Sequence, residues 1–222
     1  MEDQIKIRKA TLADIPFIVE AIVHAEKSGT DILSYTTIFG LSEEETRIKL
    51  AEMLEEEVDG CELSVSSYLL AETNNQVVAA LGGWIEGLDG MSSNDLKANL
   101  IGYYFPKSSF EKAVVAAPVI QELAIARTSG TIQIEIGYVR SEFRQHNLFE
   151  RLIEAQTKRL LEIKNDLKII ESQIFACSKA KFTFAKMGYG VAEGKTSENP
   201  QADFYFPSNT KLLVSKTIKG AQ

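Results

Sequence analysis

Residues 5–27 show both of the hydrophobic periods that recur along this chain. Residues 5–8 alternate between polar and apolar and predict a short strand. Thr11, with Asp14 three positions later, is a typical helix start, and Pro16 is tolerated in a first helical turn. Apolar residues then recur every three or four positions, so the pattern predicts a helix that ends near Lys27.

A second helix is predicted after an irregular segment. Residues 31–40 show neither period and indicate a loop. Ser42 and Glu45 match a capping box and place a helix start at this point. Apolar residues then form one stripe beside an acidic face, and Gly60 is the predicted end of the helix.

Two strands and a turn are predicted in the centre of the chain. Residues 68–72 and 77–85 have the composition of strands, and the polar residues 73–76 between them favour a hairpin turn. Gly82 and Gly83 stand inside the second strand. Glycine at such positions suggests a bulge or a close approach of another part of the chain.

The region 87–130 departs from the strand pattern around it. Helical periodicity is present at about 93–101 and 109–126, and Pro106 and Pro118 interrupt the region. Its apolar content is too high for a flexible linker. The sequence therefore predicts a helical insertion that packs on the rest of the protein.

Residues 132–161 combine an apolar strand, a polar turn centred on Arg144 and an amphipathic helix. The first N–H groups of a helix have no partner within the helix, and the helix dipole is positive there. This arrangement predicts an anion site at residues 144–149, although the turn contains no glycine.

The rest of the chain also predicts a mixture of strands and helices. Residues 169–176 predict a strand and residues 178–186 a short helix. A polar loop is predicted from there to Pro200, followed by strands at 203–206 and 211–217. The whole pattern indicates an α/β fold, more closely described as α+β.

Composition narrows the class of protein. The chain has 222 residues, of which 45% are hydrophobic and 25% charged, as in ordinary globular domains. No apolar run approaches the roughly 20 residues that span a bilayer, and the charged N-terminus has no apolar signal core. Cys61 and Cys177 give neither a disulfide framework nor a metal-ligand spacing. We therefore expect a cytoplasmic protein without a metal or a membrane partner.

Charge argues against one class of partner. Asp and Glu total 31 against 24 Lys and Arg, which gives a net charge of −7. Nucleic-acid binding normally needs a basic surface, so no nucleic-acid partner is expected.

The turn after the predicted strand 132–139 matches a known family signature. Val-x-Pro-x-x-Arg-Gly/Arg-x-Gly-x-Gly/Ala marks the GCN5-related N-acetyltransferases, and residues 139–149 resemble it in the same register. The matching residues are Val139, the aromatic Phe143, Arg144 and Leu148. Ser141 replaces the proline, and Asn147 and Phe149 replace two glycines.

A second segment is similar to the same family. Asn-x-x-Ala-x-x-Leu-Tyr-x-Lys-x-Gly-Phe often follows its fifth strand, and residues 177–189 keep the alanine, lysine, glycine and final aromatic. Cys177 stands at the asparagine position and Phe184 at the tyrosine position. The order of strands and helices is also similar, so the resemblance covers nearly the whole chain.

The resemblance implies both a fold and a cofactor. The fold would be a single domain, residues 1–222, with a mixed, mostly antiparallel sheet flanked by helices and the insertion at 87–130. The cofactor would be acetyl-CoA, as acyl donor. The residues that the resemblance assigns to cofactor binding are Gly137, Tyr138, Val139, Arg144, Gln145, His146, Asn147, Leu148, Phe149, Cys177 and Phe184.

Several of these assignments have a structural alternative. Asn147 is the best substitute for glycine because asparagine tolerates left-handed backbone geometry. Arg144 either pairs with phosphate or caps the turn, and Phe149 either lines the phosphate loop or points into the core. Gly137 either leaves room for the pantetheine arm beside Tyr138 and Val139 or marks a strand bulge.

An acceptor amine must be neutral to attack an acyl group, so a base is needed. Glu135 is the best candidate, because strict alternation would place it on one face with Gly137 and Val139. The alternative is a salt-bridged glutamate.

The family tyrosine protonates the leaving thiolate, which Phe184 cannot do because it has no hydroxyl. Tyr189 and Tyr205 are alternative acids. A coenzyme A thiolate can also leave without an acid.

Three hypotheses follow from the sequence. The first is an N-acyltransferase that acts directly on a small amine or a peptide amine, with residues 28–42 and 87–130 walling the acceptor pocket. The second is a weak or inactive module that binds coenzyme A or another ligand. In the third, the insertion builds a homodimer interface, which is compatible with both. The acidic balance of the chain favours a cationic acceptor.

Overall fold

The structure, a computed structural model, describes residues 5–218. The strands are β1 (Lys6–Lys9), β2 (Tyr68–Thr73), β3 (Gln76–Ile85), β4 (Ile132–Val139), β5 (Ile169–Phe175), β6 (Gly190–Thr196) and β7 (Thr210–Thr217). The helices are α1 (Ile15–Lys27), α2 (Ser34–Phe39), α3 (Glu43–Glu55), α4 (Ser93–Tyr104), α5 (Lys107–Glu122), α6 (Leu148–Ile163), α7 (Ala180–Lys186) and α8 (Ala202–Tyr205). Short 3-10 helices occupy Leu12–Asp14, Val65–Ser67 and Ser141–His146.

The seven strands form one mixed sheet in the order β1-β2-β3-β4-β5-β7-β6. Every neighbouring pair is antiparallel except β4 and β5, which are parallel. These two strands pair only at Ile132 with Ile170 and at Gln133 with Glu171. The mostly antiparallel sheet is therefore confirmed, and it splits between β4 and β5 for most of their length.

Helices cover both faces of the sheet. Ile22 of α1 and Leu50 of α3 are fully buried in one apolar cluster with β2. Leu152 of α6 lies in a second cluster on the opposite face, with Leu81 and Ile134 of the central strands. Burial of these apolar surfaces is the main driving force for the fold.

The insertion contributes to the core, as its apolar content predicted. Ile101 of α4 and Phe105, which follows α4, belong to the cluster around α1, and Val119 of α5 joins a third cluster with Tyr205 of α8. The buried Glu86 carboxylate accepts hydrogen bonds from the Ser93 backbone N–H and hydroxyl, which fixes the start of α4. The two helices of the insertion are α4 and α5, whose bounds are slightly shifted from the predicted ranges.

The predicted helix starts at Thr11 and Ser42 are confirmed. Both carry a capping box, with Asp14 and Glu45 as the reciprocal partners. The first helix ends at Lys27 as predicted, whereas the helix after Ser42 ends before Gly60, at Glu55. The segment 31–40 is more regular than expected because α2 forms within it.

Two predictions near the C-terminus are wrong. The polar stretch before Pro200 contains β6, which is exposed at every residue and, among residues 5–218, pairs only with β7. An edge strand with no buried face carries no hydrophobic alternation, so its sequence resembles a loop. Residues 203–206 are not a strand but belong largely to α8, where Ala202 and Tyr205 lie three residues apart and face the same cluster.

The two central glycines of β3 have the predicted role. The pairing of β3 with β4 shifts in register next to Gly82. At Gly83 an added Cβ would overlap the Gln156 side chain of α6, which donates to the Gly83 carbonyl oxygen at 3.2 Å. In the described part of the chain, no helix is both long and apolar enough to cross a membrane.

Candidate active site

The gap between β4 and β5 opens into a cleft of about 1100 Å³. Its walls come from α1, the segment 28–39, α4, β4, the turn after β4, β5 and α7. The segments 28–42 and 87–130, which the sequence placed around an acceptor pocket, both contribute residues to these walls. Ligand sites are commonly concave and lined by several elements in this way.

One end of the cleft lies at the start of α6. Asn147 has φ 50° and ψ 32°, the left-handed geometry that asparagine tolerates and that a motif glycine would adopt easily. Within residues 5–218 its side chain makes no capping hydrogen bond to the helix. The first N–H groups of α6 are therefore without a side-chain cap at the edge of the cleft, as an anion site requires.

The turn residues divide between cleft and surface. Arg144 lines the cleft, and its Nε donates to the Val139 carbonyl oxygen at 3.2 Å, so it also caps the end of β4. Gln145 and His146 are exposed on the 3-10 helix and do not contribute to the cleft wall. Leu148 is buried in the cluster beneath α6.

Gly137 and Phe149 are in close contact. A Cβ at residue 137 would overlap the Phe149 ring, which also packs edge-on against Phe184 at a centroid distance of 5.7 Å. The space that the missing Cβ leaves is therefore filled by Phe149, not left open for a ligand. Both residues still line the cleft, so Phe149 forms part of its floor.

A β-bulge at Ile136 changes the face on which Glu135 lies. Ile136 has φ 54°, a rare value for a β-branched residue, at the point where the β3–β4 register shifts. Gly137 and Val139 face α6, whereas Glu135 faces the α4–α5 side. The prediction that all three share one face is wrong, because the bulge inverts the alternation.

Glu135 is held in a buried ion pair. Arg127 donates to both of its oxygens, with Nη2 at 2.9 Å from Oε1 and 2.8 Å from Oε2, and the side chains are 8% and 10% exposed. Burial alone would lower the pKa of Arg127, but the carboxylates of Glu135 and Glu62 outweigh burial and raise it. The pair lies in the cleft wall, where strand β4 meets the insertion.

A second ion pair lies in the same wall. Lys97 Nζ contacts Glu62 Oε1 at 2.7 Å and stands over the Tyr35 ring at 5.3 Å. Burial opposes the charge on Lys97, but Glu62 and its other neighbours hold the pKa of this lysine well above its usual value. Among residues 5–218, Glu62 Oε2 and the Tyr35 hydroxyl are buried without any hydrogen-bond partner.

A third cation, Lys211, lines the cleft from the start of β7. It pairs in register with Phe175 of β5, on the far side of the gap from Glu135. Burial lowers the pKa of Lys211, and the Glu135 carboxylate offsets part of this effect. Within the described residues, the Lys211 ammonium makes no ion pair.

The tyrosines that the sequence offered as acids for the leaving thiolate do not line the cleft. Phe184 is buried and lines the cleft, but Tyr189 and Tyr205 lie outside its wall. Tyr138 lines it and donates to Glu20 Oε1 at 2.9 Å; burial and this bond raise its pKa to about 12. Cys177 also lines the cleft, and burial raises the pKa of its thiol.

Sequence reasoning missed most of the charged residues in the cleft. Glu62, Lys97, Arg127 and Lys211, together with the neutral Tyr35, come from five separate segments, and none lies in a recognisable motif. Lys211 alone carried a local signal, since a lysine two residues before Leu213 stands on the same strand face as an apolar core residue. No group of three or more His, Cys, Asp or Glu residues within positions 5–218 is arranged to hold a metal ion.

Comparison with known proteins gives the fold. No protein-family model and no curated protein sequence matches the chain. Among solved structures, an N-acetyltransferase from Staphylococcus aureus Mu50 is similar with a TM-score of 0.64 and 12% identity over 95% of this chain and 100% of that chain.

Two further similar structures are of proteins named as N-acetyltransferases of amines. An agmatine N-acetyltransferase has a TM-score of 0.61 and 12% identity over 97% of this chain and 100% of that chain. A polyamine N-acetyltransferase of Drosophila melanogaster has a TM-score of 0.60 and 11% identity over 97% of this chain and 100% of that chain. The chain therefore has the fold of the GCN5-related N-acetyltransferases, as its motifs predicted.

Proposed function

We propose that this protein is an acetyl-CoA-dependent N-acyltransferase that transfers the acyl group directly to a small amine or a peptide amine. The observation that carries the proposal is the cleft between β4 and β5, which runs from the start of α6 to a buried group of charged residues. The fold and the amine-acetylating names of similar structures support it.

The residues at the start of α6 fit the donor. The uncapped first turn of α6 and the left-handed Asn147 suit a pyrophosphate, and Arg144 supplies a positive charge beside them. Beyond Gln133, β4 does not pair with β5, so its backbone from residue 134 can hydrogen-bond an amide-bearing arm. When bound, acetyl-CoA supplies an acetyl thioester to the acceptor amine.

Glu135 is the proposed proton acceptor for the attacking amine. It is a carboxylate in the cleft wall, but Arg127 already occupies both of its oxygens. Oε2 accepts only one of these bonds, so a proton from the amine reaches Glu135 at the remaining lone pair of Oε2, directly or through a water. Glu135→Gln should lower kcat by about 10²-fold or more, the usual contribution of a positioned base; unchanged kcat would remove this role.

Binding of acetyl-CoA tests the donor site. At about 100 times its Kd, a ligand adds about 2.7 kcal/mol to the free energy of unfolding. For a chain of this size that corresponds to a rise in Tm of roughly 5–10 °C. S-acetylpantetheine, which lacks the pyrophosphate, should give a much smaller rise at equal concentration. No shift with millimolar acetyl-CoA would contradict the proposal.

A second function is favoured by two aromatic residues. Phe149 fills part of the cleft floor, and Phe184 has no hydroxyl to protonate a leaving thiolate. Both observations fit a module that binds coenzyme A or another ligand without turnover. Thiol release from acetyl-CoA across an amine panel separates the two functions, because binding without release supports the second.

A further inference from the structure

The cleft wall carries six Lys or Arg residues and five Asp or Glu residues, and not all of them are paired. Lys97 is paired with Glu62, and Arg127 with Glu135. Glu26, at the end of α1, also lines the cleft and accepts one bond from the Ser34 hydroxyl at 3.3 Å. Lys211 thus faces two neutralised pairs and one carboxylate that is not bonded to it.

An unpaired ammonium in a cleft wall is costly. A charge removed from water is stabilised in a protein only when a counter-charge or several hydrogen bonds replace its hydration. Among residues 5–218, Lys211 has neither, although its side chain is partly buried. An anionic group on a ligand would supply the missing partner through charge-assisted hydrogen bonds.

Two other groups in the same cleft also lack partners. Glu62 Oε2 can only accept a hydrogen bond when ionised, and the Tyr35 hydroxyl can donate or accept one. Each belongs to a residue that is only 3% exposed. The cleft therefore presents unused groups of both kinds, a cationic donor and an anionic acceptor, to a single ligand.

We infer that the acceptor is an amine that also carries a carboxylate, an amino acid or a close analogue, with its carboxylate bound by Lys211 and its nitrogen on the side of Glu62 and Tyr35. This inference rests on the proposed acyltransferase function. It replaces the preference for a cationic acceptor drawn from the net charge. Much of the acidic excess lies on α3, which does not line the cleft.

Matched pairs of amines test the carboxylate directly. Arginine and agmatine, ornithine and putrescine, and tyrosine and tyramine each differ by one carboxylate. In at least one pair, the amino acid should have a kcat/KM at least tenfold above that of its decarboxylated partner. Thermal shift with coenzyme A present should rank the binding of the two members in the same order.

Lys211→Met removes the ammonium and keeps the apolar stem. It should reduce the preference for the amino acid at least tenfold, through KM, while the Tm rise with acetyl-CoA persists. Lys211→Arg should keep most of the preference. Lys168→Met, at an exposed position outside the cleft wall, is the control and should leave the ratio as in the wild type.

Three outcomes would overturn the inference. In the first, no pair shows a tenfold preference for the amino acid over its decarboxylated partner. In the second, Lys211→Met lowers kcat equally for both members, as loss of a base would. In the third, none of the three amino acids binds while acetyl-CoA still raises Tm. Absence of any acetyl-CoA effect is a different result, because it rejects the proposed function itself.

Discussion

At the scale of single residues, the contact between Gly137 and Phe149 shows how the cleft floor differs from an open glycine-rich loop. The phenyl ring at residue 149 packs where a Cβ at residue 137 would lie. Each residue therefore constrains the other. A change at either position should alter stability as well as the shape of the cleft.

Gly137→Ala should destabilise the protein by about 1–3 kcal/mol, because the added methyl overpacks the Phe149 ring. Chemical denaturation measures this loss. Phe149→Leu in the same chain should recover part of it. Gly190→Ala on strand β6 is the matched control, since an added Cβ there meets no atom within 4 Å. Equal stability of Gly137→Ala and the wild type would mean that Phe149 is free to move away.

Single residues also show what sequence can and cannot predict. The left-handed geometry of Asn147 was readable, since it follows from the intrinsic preference of asparagine. Ile136 at φ 54° was not, because isoleucine in an apolar strand gives no sign of a bulge. The pairing of Glu135 with Arg127 depends on that bulge and on the loop before β4, so periodicity alone placed Glu135 on the wrong face.

At the scale of elements, a network of ion pairs joins β1 to the start of α1 and to β2. Arg8 donates to both oxygens of Asp14 at 2.8 Å and to Glu72 Oε2 at 2.6 Å. The bonds from Arg8 lower the pKa of Asp14 to about 2, against the opposing effect of burial. This carboxylate is therefore charged in the folded protein well into the acid range.

Asp14→Asn should cost about 2 kcal/mol at pH 7, the order of a hydrogen bond to a charged group. The folded pKa lies below the unfolded value, so the contribution is present above about pH 4 and is lost as pH falls towards about 2. Denaturation of both proteins across this range should show their stabilities converging. Asp166→Asn, at an exposed position, is the control, and a pH-independent difference would contradict the assignment.

The elements that sequence predicted best are those fixed by local bonds. The capping boxes at Thr11 and Ser42 involve residues three positions apart, so four residues of sequence contain the whole signal. Strand β6 is the opposite case. In the described structure it is held by the ladder with β7, which no pattern within residues 190–196 encodes.

At the scale of the whole molecule, one sheet receives strands from both ends of the described chain. β1 and β2 form one side, and β7 and β6 the other. We infer from this continuity that the described residues, 5–218, form one domain. The resemblance gave the topology, but the cleft was not derivable from periodicity, because it depends on where β4 and β5 stop pairing.

Deletion of residues 90–128 should prevent cooperative folding. It removes Leu100, Ile101 and Phe105 from the α1 cluster and Val119 from the third cluster. Thermal melts followed by near-UV circular dichroism should lose their transition, whereas a folded truncated chain would contradict this account. The control, Val114→Ser with Val115→Ser, changes residues that are 71% and 62% exposed and should keep a cooperative transition.

The same control addresses the homodimer, which stays a prediction. Val114 and Val115 are exposed apolar residues of the insertion, so they are the natural contacts for a second copy. Light scattering on the intact double variant avoids the loss of core that deletion causes. A dimeric wild type that becomes monomeric in the variant would support the interface, and a dimer of unchanged mass in the variant would reject it.

The two paired positions between β4 and β5 also make a mechanical seam. The backbone ladder that holds the β1–β4 half of the sheet to the β5–β7–β6 half is only two residues long. A force that separates the two halves would therefore be carried, within the sheet, by the few hydrogen bonds at these two positions. A ligand arm that lies along β4 and also contacts β5 would add bonds between the two halves. Its release would lower the resistance of the sheet to separation at its centre, not at its edge strands.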